Sequence, residues 1–259
     1  RGLAFLRQHG VTVDTGAGAP AVEESLAPYL HHRRTGRPFL ILKTAASLDG
    51  RTAAADGTSQ WITGPEARAD GHRLRAESQA VLVGAGTALS DRPALTARDV
   101  DAAPPRQPVR VLVDATGRVP PDGPLFDPAL APTLVFTTAA APGPARKAWL
   151  AAGADVEELS PGPDGTGVDL PGVLSVLGGR GVLQALVEGG ATLAGSFLWA
   201  GLVDRLVVYV GGPLLGEHGL PMVAGTGPAT LGEAPRWRIA AATALGGDVR
   251  LDCDPGQEG

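Results

Sequence analysis

From Phe39 onward the chain alternates short aliphatic runs with longer stretches whose apolar residues recur at helical spacing. Short runs that are apolar throughout, rather than at every second position, suit strands covered on both faces. The predicted strands are Phe39 to Ala45, Ala80 to Gly84, Val109 to Asp114, Thr133 to Thr137, Ala154 to Leu159, Gln184 to Glu188 and Arg205 to Val210. The predicted helices are Gly64 to Glu77, Ala145 to Ala152, Leu170 to Gly178 and Ala191 to Ala200. The pattern then changes: Trp237 to Leu245 and Val249 to Cys253, joined by Gly246-Gly247-Asp248, predict a β-hairpin. The expected fold class is α/β, with a central, mostly parallel sheet flanked by helices and finished by a C-terminal antiparallel hairpin. No internal repeat is visible, and the tracts 139–144 and 160–167 read as surface loops.

Residues 1–36 differ in texture. They hold a short helix-like piece with Leu3, Phe5 and Leu6, a strand-like Val11-Thr12-Val13, and Gly16-Ala17-Gly18-Ala19-Pro20. A second amphipathic segment, Val22 to His32, runs into Arg33-Arg34-Thr35-Gly36-Arg37-Pro38, where Gly and Pro stop a helix. The boundary is placed there. It gives an N-terminal piece, 1–36, too small to fold alone, a main domain, 37–254, and a tail, 255–259. His31 and His32 in the polar junction read as solvated rather than metal-bound.

Composition narrows the function classes. The 259 residues are 44% hydrophobic and 19% charged, enough for a large buried core and unlike a disordered chain. A net charge of −5 excludes a general basic footprint for nucleic acid, so any anion site must be local. The lone cysteine, Cys253, forbids an internal disulfide and any zinc-ribbon spacing. With no run as long as a membrane span, the chain reads as a soluble protein of a reducing cytoplasm.

Several residues could carry chemistry. Thr63 can cap the helix that follows, Glu66 can complete a capping box, and Pro65 sits where no amide bond is lost. On that helix Arg68, His72 and Arg75 share one face, which suits either an anion site or a solvated basic stripe. Two corners run strand, glycines, helix: Val83-Gly84-Ala85-Gly86-Thr87, and Val187-Glu188-Gly189-Gly190-Ala191. Such corners suit a dinucleotide phosphate at helix N-termini, or close backbone packing with no ligand. The first is not a full dinucleotide fingerprint, since the third glycine is missing. Glu188 lies at the carboxyl end of an apolar strand, where ligands meet open α/β sheets. Lys43 lies inside another and needs a charged partner, which Asp49 or Glu188 could supply. Serine-hydrolase elbows, zinc-protease motifs and P-loops are absent from the sequence.

Three motifs in order match a known family: Lys43-Thr44-Ala45-Ala46-Ser47-Leu48-Asp49-Gly50-Arg51-Thr52, Ser59-Gln60-Trp61-Ile62-Thr63-Gly64, and Gly84-x-Gly86-Thr87-x-Leu89-x-Asp91-x-Pro93-x-Leu95-Thr96-x-Arg98. With Val187-Glu188-Gly189-Gly190, Ala200 to Asp204 and Pro213 to Gly216, they resemble the reductase domain of the bifunctional riboflavin-biosynthesis deaminase/reductase. The resemblance implies a dihydrofolate-reductase-like fold. It also implies hydride transfer from NADPH to C1 of the opened ribose of a phosphorylated pyrimidine, 5-amino-6-(5-phosphoribosylamino)uracil. Substrate would be held by Ser59, Arg75, Leu95, Arg98 and Glu188. NADPH contacts would fall on Ala45, Thr52, Trp61, Thr87, Asp91, Ala115 and the segment Gly190, Ala191, Thr192, Leu193, Ala194, Gly195 and Ser196. Lys43 and Glu188 are the catalytic candidates, no metal is implied, and the family association suggests a homodimer.

Two departures stand out. Arg92 replaces the second of two adjacent acidic residues, and the zinc motifs of the deaminase half do not occur, so this chain is expected to reduce but not to deaminate. Residues 1–36 resemble a deaminase-domain tail plus linker, the deaminase being fused upstream or encoded separately. Two other readings stay open: a reductase of the same fold acting on another pterin or pyrimidine, and a catalytically silent ligand-binding domain.

Overall fold

The computed structural model describes residues 2–100, 104 and 106–256. Ahead of the sheet lie α1 (Gly2–Gln8), α2 (Ala19–Ser25) and α3 (Ala27–Thr35). The first half of the sheet follows as β1 (Phe39–Ser47), β2 (Arg51–Ala53), α4 (Pro65–Glu77), β3 (Ala80–Gly84), α5 (Ala85–Asp91) and β4 (Val109–Val113). The second half is β5 (Thr133–Thr137), α6 (Gly143–Ala151), β6 (Asp155–Glu158), α7 (Leu170–Gly179), β7 (Gln184–Val187), α8 (Ala191–Trp199) and β8 (Arg205–Gly211). A short β9 (Leu220–Pro221) precedes the hairpin of β10 (Trp237–Leu245) and β11 (Asp248–Pro255).

Among the described residues, nine strands form one sheet in the order β10-β11-β8-β1-β7-β3-β4-β5-β6. From β8 through β6 all neighbours are parallel, while β11 runs antiparallel to both β8 and β10. Strands β3, β4 and β5 are buried along almost their whole length, because helices cover both faces. On one face Leu40, Leu42 and Val187 pack with Leu174, Leu177 and Phe197 of α7 and α8. On the other, Ile41, Val81, Val83 and Tyr209 pack with Ala67 and Leu74 of α4, Ala88 of α5 and Trp149 of α6. The chain enters at β1, leaves to build β3 through β6 on one side, then returns to insert β7 beside β1 and add β8 on its other flank. That reversal makes the carboxyl ends of β1, β7 and β3 the topological switch point, the place where an open α/β sheet offers a crevice to ligands.

The structure corrects several sequence expectations. Val11 to Val13 form no strand, and the segment Val22 to His32 is two helices, broken at Leu26 ahead of Pro28. The first glycine corner runs from strand to helix as expected, but α5 starts at Ala85 inside the corner, so Gly86 lies in the helix rather than in the turn. The N-cap of α4 is Gly64 rather than Thr63, and no capping box forms. The Gly64 amide instead donates to Asp248 Oδ2 at 2.6 Å, a carboxylate from the distant hairpin. Asp248 therefore opens β11, and the turn is Gly246-Gly247, with Gly246 at φ 63° in the left-handed region that a two-residue hairpin turn requires. Strand β11 extends through Pro255, one residue past the proposed domain end.

His31 and His32 are not solvated. They are half-buried where α3 meets the sheet, with His32 Nε2 3.1 Å from the Gly178 carbonyl and His31 Nδ1 3.5 Å from Asp204. Arg37 clamps the same Asp204 with both terminal nitrogens, at 2.8 and 2.9 Å, and Glu24 pairs with Arg205 at 2.7 Å. The segment from α2 to Arg37 is thus fastened to the main domain by charge pairs, while α1 to α3 bury no residue.

Candidate active site

Strand register builds the charged half of the crevice. Leu42 pairs with Val187, so the residues that follow each, Lys43 and Glu188, stand side by side and point to the α4 face. Helix α4 lays Arg75 over them. Arg75 grips Glu188 bidentately, Nε to Oε1 at 2.5 Å and Nη2 to Oε2 at 2.9 Å, and Lys43 Nζ stands 3.6 Å from Oε2. The Glu188 side chain is only 9% exposed and that of Arg75 16%. Burial opposes ionisation of Glu188, but the charges of Arg75 and Lys43 outweigh it and bring its pKa down to about 2. Glu188 is therefore a carboxylate at any physiological pH. The partner of Lys43 is Glu188 and not Asp49, which instead ties down a loop by accepting from the Ser47 hydroxyl and the Leu215 and Gly216 amides.

The helix face splits in function. Arg75 Nη1 and His72 Nδ1 both donate to the Thr96 carbonyl, each at 3.2 Å, joining α4 to the segment that carries Leu95 and Arg98. Burial, then the charges of Arg75 and Arg98, push the His72 pKa below its ordinary value, which leaves the ring neutral and able to donate there. Leu95 is buried with φ 53°, and Arg98 reaches into solvent. Arg68 turns away from this cluster: it donates to the Thr63 carbonyl at 2.8 Å and lies 4.3 Å above the Trp61 ring. Only His72 and Arg75 of the expected trio reach the cluster, and the pairing with buried Glu188 excludes the solvated-stripe reading for Arg75. Ser59 is half-buried and Trp61 exposed, in the loop that leads to α4.

The other half of the crevice is backbone. Strands β3 and β7 are paired neighbours, so the two glycine corners lie together, and the Gly190 amide donates to Thr87 Oγ1 at 2.8 Å. Close packing is one reason for the glycines: a Cβ on Gly189 would stand 2.8 Å from Leu193, and one on Gly190 3.0 Å from Thr87 Oγ1. Gly190 is also the N-cap of α8 and brings no side-chain cap, so the first-turn amides of this nine-residue helix face the crevice without a built-in partner side chain. Amides at a helix start beside a glycine corner fit the diphosphate of a nicotinamide dinucleotide. Within Gly190 to Ser196, Leu193 and Ala194 pack into the core, and Gly195 lies against the strap carrying Ala224, whose carbonyl a Cβ there would strike at 1.9 Å. The surfaces left for a ligand are Gly190, Ala191, Thr192 and Ser196.

The remaining expected contacts lie on several different elements. Ala45 follows Lys43 on β1, and Ala115 follows β4, in a loop whose amides at Thr116, Gly117 and Val119 are collected by buried Asp114. Thr52 lies in β2 and donates to the Pro221 carbonyl of β9, while Asp91 ends α5 in solvent. Arg92 pairs with Asp122.

An open α/β sheet with a caged carboxylate and paired glycine corners together at its switch point defines a class: open α/β domains with a charged candidate site at the carboxyl ends of the central strands. Residues 38–251 match the family described as RibD C-terminal domain, and the chain belongs to that family. It is 46% identical over 224 residues to the riboflavin biosynthesis protein RibD of Chlamydia pneumoniae, which covers 86% of this chain and 59% of that protein. It is 36% identical over 269 residues to the RibD of Escherichia coli K12, covering 97% of this chain and 69% of that protein. The chain thus spans 59% of the length of its chlamydial relative. Among solved structures, Acinetobacter baumannii RibD superposes with a TM-score of 0.83 at 31% identity, covering 99% of this chain and 68% of that one. A Thermotoga maritima deaminase/5-amino-6-(5-phosphoribosylamino)uracil reductase superposes at 0.81 with 27% identity, over 99% and 67% of the two chains.

Proposed function

We propose that this chain is the NADPH-dependent reductase of riboflavin biosynthesis, converting the ribosyl group of 5-amino-6-(5-phosphoribosylamino)uracil to a ribityl group. The observation that carries the reading is the caged Glu188 set at the end of β7 directly before the paired glycine corners, in a chain of this family. The corner of Gly190 and Thr87 would hold NADPH, which when bound would supply a hydride for C1 of the opened ribose in its imine form. Glu188, held ionised, donates no proton; it accepts hydrogen bonds from the substrate and orients it. Lys43, whose ammonium stands beside Glu188 at the end of the cage, delivers the proton that the imine nitrogen takes up as its carbon is reduced. Arg98 and Arg75 offer the cationic edge for the substrate's phosphate.

The same reading includes a cytoplasmic homodimer. Strand β10 is a sheet edge of nine residues, exposed along almost its whole length, with Ile239 61% exposed, the kind of edge that a second strand covers. It also leaves deamination to another domain or chain.

Loss of NADPH absorbance on adding the phosphoribosylamino-pyrimidine is the test. No oxidation, together with no NADPH binding by calorimetry, would sink the reading. Arg75→Ala is expected to raise KM for the phosphorylated substrate by roughly tenfold or more while shifting KM for NADPH little. Equal shifts would remove Arg75 from the phosphate.

A further inference from the structure

Beneath the cage lies a second buried polar cluster that the reaction above does not use. Tyr209 on β8 pairs with Ala45 of β1 on one side and Arg250 of β11 on the other, so its ring points to the same face as Lys43. Lys43 Nζ stands over that ring, 5.5 Å from its centroid, and the aliphatic end of the same side chain passes Gly71 of α4. The Tyr209 hydroxyl donates to Asp70 Oδ2 at 2.7 Å. Asp70 is held in turn by Arg250 at 2.7 Å and by Arg73, and Arg250 is clamped on Asp252 at 2.6 Å. Tyr209 is 1% exposed and Asp70 7%. Two carboxylates and two guanidiniums balance, so the cluster adds no net charge to the cage above it.

We propose that Tyr209 is a positioning residue: its ring, pinned through its hydroxyl to Asp70, is the wall that fixes where the Lys43 ammonium stands. Lys43 Nζ makes no hydrogen bond within 3.5 Å to Glu188, its nearest ion-pair partner, at 3.6 Å. A flexible four-carbon stem without such a bond needs shape on its other sides. The ring supplies that shape, and its negative face also favours the cation. The hydroxyl is turned away, into Asp70, and burial followed by that hydrogen bond holds the phenol protonated far above its ordinary range. Tyr209 thus shapes the site and transfers no proton. Asp70 carries the dependence further: a residue of α4 and the C-terminal hairpin, through Arg250, set the floor under a lysine of β1.

The proposal rests on the assignment of Lys43 as proton donor, and the test separates the two. The chain has two lysines, Lys43 and Lys147, so lysine labelled with carbon-13 gives two sets of side-chain methylene signals, told apart by Lys147→Arg. In the wild type the Lys43 Cε protons are expected at higher field through the ring current of Tyr209. Tyr209→Phe keeps the shift, and Tyr209→Leu abolishes it. In turnover, Tyr209→Leu is expected to lower kcat roughly tenfold with NADPH affinity and substrate KM within about threefold of wild type, while Tyr209→Phe stays within about threefold in kcat. Asp70→Asn, which keeps the cluster's shape, is expected to broaden the Lys43 signal and give an intermediate kcat, and covers the case that the leucine variant does not fold. A Lys43 signal without ring shift, or a phenylalanine variant as slow as the leucine one, would overturn the proposal. A wild-type protein that shows the ring shift yet oxidises no NADPH would overturn the functional reading and leave the placement of Lys43 standing.

Discussion

The two sides of the crevice are made from different materials. On the α4 side, the candidate site is built of side chains: Lys43, Arg75 and Glu188 come from three elements and hold one another through charge, largely buried from water. On the α8 side it resides in backbone: Gly189 and Gly190 clear space, Thr87 ties the two corners together, and Gly195 lets the strap at Ala224 close against the helix. A mutually paired charge cluster is cooperative, because removing one member leaves the others buried and unpaired. A backbone site fails in smaller steps, since each glycine or hydrogen bond contributes separately.

The sharpest way to break that contrast is Glu188→Gln. It keeps the shape but leaves Arg75 and Lys43 facing each other, and is expected to cost about 3 kcal/mol of stability and nearly all activity, read by denaturant melts and turnover. A stability loss below about 0.5 kcal/mol would mean that the cage is not cooperative. The same carboxylate sets an acid limb. Its pKa falls from the ordinary 4.5 to about 2 in the folded protein, so its contribution is complete above pH 4.5 and is lost as pH falls from there toward 2. Acid titrations of the wild type and of Glu188→Gln should therefore converge toward pH 2; parallel curves would argue against a depressed pKa.

Gly195→Ala probes the backbone side. The new Cβ would meet the Ala224 carbonyl at 1.9 Å and push the strap off α8, at about 1–3 kcal/mol by overpacking. NADPH affinity should fall while substrate KM holds; the reverse pattern would mean that the strap serves the substrate side. The smallest effect is expected of Thr87→Val, which removes the acceptor of the Gly190 amide. A hydrogen bond at a half-exposed site is worth about 1 kcal/mol, a fewfold rise in the dissociation constant for NADPH by calorimetry. An unchanged constant would show that the corners hold their geometry by packing alone.

The particular residues show what could be read in advance. The β3 and β5 boundaries were legible because Ala80 to Val83 and Leu134 to Phe136 are short apolar runs bounded by Gly84 and by Thr133 and Thr137, and the hairpin because Gly246-Gly247 follows a strand pattern. The start of α5 was obscured by Gly86 inside its first turn, and β2 and β9 are too short to carry a period. The cap of α4 was misread since its acceptor, Asp248, lies 184 residues away. Tyr209 and Asp70 went unnoticed, although a carboxylate between Ala67, Gly71 and Leu74 on a buried helix face was a visible signal of a polar partner beneath.

The sequence by itself determined the family and the alternation of strands and helices, and it singled out the candidate site residues, because apolar periodicity and local motifs are properties of neighbours along the chain. Only the tertiary structure decided that Lys43 pairs with Glu188 and not Asp49, that Arg68 leaves the anion cluster, and that a ring on β8 stands beneath the lysine. Those outcomes depend on strand register and on which helix covers which face, and such long-range pairings are fixed by packing of the whole core rather than by any local stretch.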